Sequence, residues 1–261
     1  MPFFDARRPL IFAHRGGCAL GPENTLAAFD LGLQAGADGL ELDVHLSADG
    51  IPVVHHDDTL DRTTSEGGPL AARTAAELAR IDAGYHFTSN GAFPFRQQGA
   101  GIPSLREVLL RYRDVPIVIE MKVDTPEMGE AVARDVAAAD AVDRVCLAGY
   151  GARSAAVARA AIPGVATSAT HPEVRLAVYR GFAGWPVHHV QYGGYQVPER
   201  NGLIRIVSPR FVREAHAAGL KVQVWTVDDE PDMRRLLYWG VDGLISNRPD
   251  LAVRVRNACC P

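Results

Sequence analysis

The chain has 261 residues, 47% of them hydrophobic and 22% charged, with a formal charge of -4. That length carries a full core and suits one (β/α)₈ barrel, while the absence of a Lys/Arg block leaves no electrostatic footprint for nucleic acid or an anionic membrane, so a small-molecule substrate is expected. With 17 Pro and 25 Gly the chain reads as rich in loops and not as low complexity.

The first residues, MPFFDARRPLIFAHRGG, follow Arg7 and Arg8 with an apolar run too short for a signal segment or a membrane span. A cytoplasmic protein without a membrane anchor is the expectation. Cys18, Cys146, Cys259 and Cys260 have no metal-ligand spacing and are expected to be reduced.

Residues 10–13 read as a short buried strand that runs into His14-Arg15-Gly16-Gly17. Leu26, Phe29 and Leu33 then recur at helical spacing, with Asn24 or Thr25 as the N-cap and Gly36 near the stop. The next stretch, GLELDVHLSADGIPVVHHDD from Gly39 to Asp58, has the pattern of two strands around a tight polar turn. With Asp49 and Gly50 as the turn residues, Asp43 faces His56. Glu41, Asp43 and His56 then share one face, and Val44 and His55 take the other. Two carboxylates on an otherwise apolar strand are costly to bury unless a cation or hydrogen bonds offset them, and hard oxygen ligands suit Mg²⁺ or Ca²⁺. A hairpin with one solvated face shows the same alternation, so this stretch leaves both readings open.

Residues 58–101 lose regular period apart from a helical piece at 74–81, and read as a small inserted lobe whose aromatics form a satellite core or line a pocket. Regularity returns with a helix to about Tyr112 and a strand over 117–122 that ends in Glu120, with Lys122 on the same face. Glu120 is the third acid that a Glu41/Asp43 cation site needs, although a Glu/Lys pair at a strand end is also common. Further βα units follow: helix 127–139, strand 144–148, helix 154–161, strand 165–168, helix 174–181, helix 209–218, strand 222–225, helix 231–239 and strand 244–245. His171, His188 and His189 lack acid or Cys partners at metal spacing and are expected on the surface or in structural roles. The repeated βα pattern predicts a closed parallel barrel in one domain, residues 1–261, and the hairpin is a local departure with one arm counted in the barrel.

AHRGG (13–17), PENTLAAF (22–29), GADGLELDVHLSADGIPVVHHDDTLDRTT (36–64), IPSLREVL, IEMK (119–122), AHAAGLKVQVWTVDD and GVDGLISNRPD together make the chain resemble the glycerophosphodiester phosphodiesterases over residues 10–251. The resemblance implies an irregular TIM barrel with a lobe inserted after the second strand region. It also implies a divalent cation, Ca²⁺ or Mg²⁺, and hydrolysis of a glycerophosphodiester to sn-glycerol 3-phosphate and an alcohol. Carried over by position, the catalytic histidines fall on His14 and His56 and the metal ligands on Glu41, Asp43 and Glu120. Arg15 and Lys122 fall on phosphate-contacting positions and Trp225 on an aromatic of the pocket wall. The family's Ser-Phe after the fifth strand is Gly149-Tyr150 here, and its closing TDRPD is SNRPD.

The chemistry would divide proton transfer between His14 as acid and His56 as base, with water or the substrate's own 2-hydroxyl as nucleophile. Without the resemblance Trp225 reads as packing and Asn24 as a helix cap, and Glu23 has no assignment. Two rivals stand beside this reading. One is a lysophospholipase D whose lobe offers an apolar surface to lipid. The other is a non-catalytic protein that binds a phosphodiester or a cation, which would be expected to have lost one of the histidines or acids.

Overall fold

The computed structural model describes residues 2–149, 151–182 and 190–259. Helices begin where the sequence supplies an oxygen for an otherwise unpaired backbone N–H: Thr25, Thr74, Ser104, Thr125 and Ser208 each accept from the amide three residues on. The elements run β1 (Leu10–Ala13), α1 (Leu26–Gln34), β2 (Gly39–Leu46), β3 (Pro52–Val54), α2 (Ala75–Leu78), α3 (Leu105–Arg111), β4 (Ile117–Met121), α4 (Pro126–Ala138), β5 (Val145–Gly149), α5 (Ala152–Ala161), β6 (Ala166–Thr167) and α6 (His171–Phe182). They continue with β7 (Gly194–Pro198), β8 (Arg200–Asn201), β9 (Ile204–Arg205), α7 (Pro209–Ala217), β10 (Lys221–Trp225), α8 (Glu230–Tyr238), β11 (Gly243–Ser246) and α9 (Pro249–Cys259).

Eight of these strands form one parallel sheet in the order β6-β5-β4-β2-β1-β11-β10-β7. The two ends of that order meet through a parallel bridge between Ser168 and Gly194, with Ala169 N–H donating to Gly194 O at 2.9 Å and Gly193 N–H to Thr167 O at 3.0 Å. The sheet is thus an almost closed barrel, as the βα repeat predicts. Outward-facing Leu40, Leu42, Val44, Ile117, Ile119 and Leu147 pack under the helices, whereas Phe12, Val118, Cys146, Ala148, Ala166 and Ile245 fill the barrel. Phe3 stacks on Phe12 at 5.7 Å and joins Phe4 to plug the end where the strands begin. The end where strands finish is left for chemistry.

The hairpin lends one arm to the barrel: β2 lies between β1 and β4, and β3 lies outside the barrel order, antiparallel to β2. Its register differs from the expectation by one residue. Val44 pairs with Val54 and His55 N–H donates to Asp43 O at 3.0 Å, so Asp43 lies across from His55 and not from His56. The reason is the turn. Ser47 Oγ donates to Asp49 Oδ1 at 2.6 Å and accepts from Ile51 N–H at 3.0 Å, which widens the loop beyond the two residues Asp49 and Gly50.

Residues 58–101 carry no barrel strand. Leu60, Leu70, Leu78, Ile81 and Ala83 close on Val53 and Ile102 in a small aliphatic core of their own. The aromatics gather separately, with Phe87 edge-on to Phe95 and the Arg96 guanidinium over Tyr85 and Phe93. Strand β7, the β8–β9 hairpin and α9 were not anticipated from sequence. His188, His189 and Tyr150 lie outside the described residues, and no helix among the described residues is long and apolar enough to cross a membrane.

Candidate active site

Alternation along β2 turns Leu42 and Val44 toward the helices and Glu41 and Asp43 into the barrel, where both acids are buried. Asp43 and Glu120 are register partners on β2 and β4, and ligand oxygens of Glu41, Asp43 and Glu120 all lie within 4.8 Å of one another. Two cations converge on them. Lys122 Nζ stands 3.3 Å from Asp43 Oδ1 and 3.2 Å from Glu120 Oε1. Arg15 N–H donates to Glu41 Oε2 at 2.9 Å, and its Nε lies 3.3 Å from Asp43 Oδ2 without the alignment of a hydrogen bond. The turn after β1 makes this approach possible, because Arg15 has φ 50° and Gly16 φ 88°, and a Cβ on Gly16 would meet Phe29 at 2.7 Å.

Burial, reinforced by the charges of Asp43 and Glu120, pushes the Glu41 carboxyl well above its ordinary value of 4.5. Burial alone would lower Lys122, but the charges of Asp43 and Glu120 outweigh it and hold the ammonium above its usual range. With all three carboxylates ionised, the two fixed cations leave one negative charge, and a small, hard, oxygen-preferring ion would hold that state in place of a proton on Glu41. The donor set fits a divalent cation of the Mg²⁺ or Ca²⁺ type.

His14 opens the 3-10 turn after β1. Asn247 N–H and Nδ2 donate to Asp228 at 2.8 and 2.7 Å, and a carboxylate only accepts, so the Asn247 amide oxygen is left facing His14. His14 Nδ1 therefore donates to Asn247 Oδ1 at 2.6 Å, and Nε2 is directed to the acids, 3.8 Å from Glu41 Oε2. Burial holds His14 below its usual range, against the raising effect of the Asn247 hydrogen bond.

His56 is held by other partners. Because β3 ends at Val54, strand alternation does not place this ring. His45 Nε2 donates to His56 O at 3.0 Å, and His56 Nδ1 meets Asp57 Oδ1 at 2.6 Å. From Asp57 the connection runs through Arg62 and Glu23 to Arg15. Trp225 ends β10 and packs on the cluster that fills the barrel, at the strand-end side.

Several neighbours escaped sequence reasoning. Thr25, not Asn24, caps α1. Asn24, with φ 58°, instead donates from Nδ2 to Asp43 Oδ2 at 2.9 Å and accepts from Asp43 N–H at 3.3 Å. Two adjacent cap-forming residues were the available signal, since one helix end uses one. Glu23, Asp57, Arg62, Asn247 and Asp228 carried no period or spacing that marks a site.

The glycerophosphoryl diester phosphodiesterase family model matches residues 14–251. The chain belongs to that family. A glycerophosphodiester phosphodiesterase of Caldanaerobacter subterraneus subsp. tengcongensis is 32% identical over 254 residues, spanning 95% of this chain and 98% of the relative. Among solved structures, a glycerophosphodiester phosphodiesterase from Agrobacterium tumefaciens str. C58 superposes with a TM-score of 0.76 at 30% identity, covering 94% of this chain and 99% of that one. An Oleispira antarctica phosphodiesterase in complex with the product sn-glycerol-3-phosphate has the same TM-score at 27% identity, covering 96% and 97%. The chain is a glycerophosphodiester phosphodiesterase on a TIM barrel, and its acids, Arg15 and Lys122 stand at the strand-end face where that fold carries active sites.

Proposed function

We propose that this phosphodiesterase hydrolyses water-soluble glycerophosphodiesters to sn-glycerol 3-phosphate and an alcohol, with a divalent cation, Ca²⁺ or Mg²⁺, held by Glu41, Asp43 and Glu120. The convergence of these three acids with Arg15 and Lys122 carries the reading. Their net single negative charge becomes a single positive one with a divalent ion, the complement of a phosphodiester monoanion. The product bound in the Oleispira relative supports the same substrate class. Residues 1–261 act as one catalytic unit, and 58–101 as the lobe inserted in it.

When bound, the cation supplies Lewis-acid stabilisation of charge building on the phosphoryl oxygens. Arg15 and Lys122 orient the diester and neutralise its non-bridging oxygens, and Trp225 forms an apolar wall beside the leaving alcohol. His14 and His56 divide the proton transfers. Their partners support the reverse of the order expected from sequence: His14, beside a neutral amide, accepts the nucleophile's proton at Nε2, and His56, beside the Asp57 carboxylate, protonates the leaving oxygen. The lysophospholipase alternative has little support in the lobe, whose aliphatic side chains turn into their own core and whose one exposed large hydrophobic residue among those described is Phe93.

Release of glycerol 3-phosphate from glycerophosphocholine, with EDTA and with Ca²⁺ or Mg²⁺ restored, tests the proposal. Turnover should vanish with EDTA, return with the ion, and fall by about 10²–10⁴-fold in His14→Ala and His56→Ala. A parent enzyme that keeps full activity in EDTA would remove the cation from the mechanism. Faster cleavage of lysophosphatidylcholine than of glycerophosphocholine would move the lipid reading forward. Phosphorus NMR distinguishes the nucleophiles, since attack by the 2-hydroxyl passes through a cyclic phosphate.

A further inference from the structure

We propose that Arg62, carried by the lobe, is a positioning residue that sets the orientation of His56 and Arg15 together. The inference rests on the phosphodiesterase reading above. An arginine with 48% of its side chain exposed ordinarily samples many rotamers, and an exposed ion pair is worth little. Arg62 is placed differently. Its NH1 and NH2 fork onto Glu23 Oε2 and Oε1, each at 2.7 Å, while Nε donates to Asp57 Oδ2 at 2.6 Å. Each carboxylate then passes the constraint on. Glu23 Oε1 accepts from Arg15 NH1 at 2.9 Å, and Asp57 Oδ1 meets His56 Nδ1 at 2.6 Å.

The arrangement supplies what the strands do not. With β3 finished at Val54, the His45 bond to His56 O holds the backbone, and Asp57 is the partner that orients the ring. On the other arm, Arg15 is pulled toward Asp43 by its charge, and Glu23 sets the direction of the guanidinium that remains for the diester. Without Arg62, Glu23 keeps Arg15 and Asp57 keeps His56, but nothing joins the two carboxylates, and both arms lose their shared reference. A lysine has one point of charge and cannot fork onto Glu23 while bonding Asp57.

The test is steady-state kinetics of the full chain with its divalent ion and glycerophosphocholine. Glu23→Gln should raise KM about tenfold with kcat near the parent value, and Asp57→Asn should lower kcat about tenfold with KM near the parent value. Arg62→Gln should do both, Arg62→Lys should resemble Arg62→Gln, and Arg62→Gln/Glu23→Gln should have no higher KM than Arg62→Gln alone. A readout independent of turnover is the imidazole ¹⁵N spectrum, in which Arg62→Gln should move the His56 signals and leave those of His14 in place. Parent kcat and KM in Arg62→Gln, or a lowered Tm as its sole change, would overturn the proposal. A parent protein that turns over no diester defeats the phosphodiesterase reading instead, and the His56 spectrum then decides the role of Arg62 by itself.

Discussion

Glu41 accepts from the Arg15 backbone and Glu23 from its guanidinium, and the two acids respond to pH with opposite sign. Burial and the neighbouring acids raise Glu41 in the fold above its ordinary 4.5, so its protonated form is favoured, and the stability tied to it is lost as pH rises through the raised value. Glu41→Gln should therefore leave the metal-free protein as stable as the parent or more stable near neutral pH. It should also abolish the rise in Tm that Ca²⁺ or Mg²⁺ gives the parent, about 2.7 kcal/mol at a hundredfold excess over Kd. A scan of Tm with and without ion reads both effects, and a Glu41→Gln protein still stabilised by the ion would exclude Glu41 as a ligand. For Glu23, burial alone would raise the carboxyl, but hydrogen bonds from Arg62 and the Arg15 charge outweigh it and hold it at about 2 against an ordinary 4.5. Its contribution is present above pH 4.5 and lost as pH falls toward 2. The shift corresponds to roughly 3 kcal/mol, reduced to about 1–2 by screening at the half-exposed Arg62. Urea unfolding should separate parent from Glu23→Gln at pH 7 and narrow the gap steadily to little at about pH 2; an equal gap at both would show that the ion pair is not its source. Glu41, Asp43 and Glu120 were legible because acids in apolar strands stand out, whereas Glu23 and Asn24 follow a proline beside a helix cap, where polar residues are ordinary.

The hairpin and the lobe show what patterns along a chain leave undetermined. Period-two alternation identified β2 and which of its residues face inward, but register depends on loop length. The Ser47 hydroxyl made the loop longer than the Asp49-Gly50 signal implies. His56 was assigned to the Asp43 face by an alternation that stops at Val54 and by a register off by one residue; its actual placement depends on Asp57 and His45, and no periodicity encodes side-chain bonds beyond a strand end. Residues 58–101 were visible as a loss of period, yet their core is aliphatic, since Leu60, Leu70 and Leu78 are fully enclosed while the aromatics cluster around Arg96. Leu78→Ala should cost about 2–5 kcal/mol locally. Because Arg62 belongs to the lobe, hydrogen exchange should quicken within residues 58–101, kcat should fall, and amides of β2 and β4 should keep their protection. Accelerated exchange throughout the barrel would show that lobe and barrel unfold as one unit.

At the scale of the whole barrel, the site occupies a continuously paired sector, away from the seam. β2 and β4 share five register pairs, Leu40 with Ile117 through Val44 with Met121, and β2 also pairs with β1. Across the barrel, β6 has two residues and meets β7 through the Ser168–Gly194 bridge and the bonds of Ala169 and Gly193. The closed βα order was legible from repeated strand and helix patterns, but β7 was not. Its GYQVP begins on the second Gly of a pair, ends in Pro and turns Gln196 toward Gln223 on β10, at 2.7 Å, so neither an apolar run nor a clean alternation marks it. Acids proposed to share one ion need fixed separations, and backbone pairing on both sides of β2 supplies them; the short seam carries none of the proposed ligands. Local openings should therefore begin at the seam. Native-state hydrogen exchange should show the Ala169 and Gly193 amides opening at a lower free energy than those of Leu42 and Ile119, and a bound divalent ion should slow exchange in β2 and β4 more than at the seam. Equal protection at both places would mean that the barrel opens only as a whole and that pairing density does not explain where the acids sit.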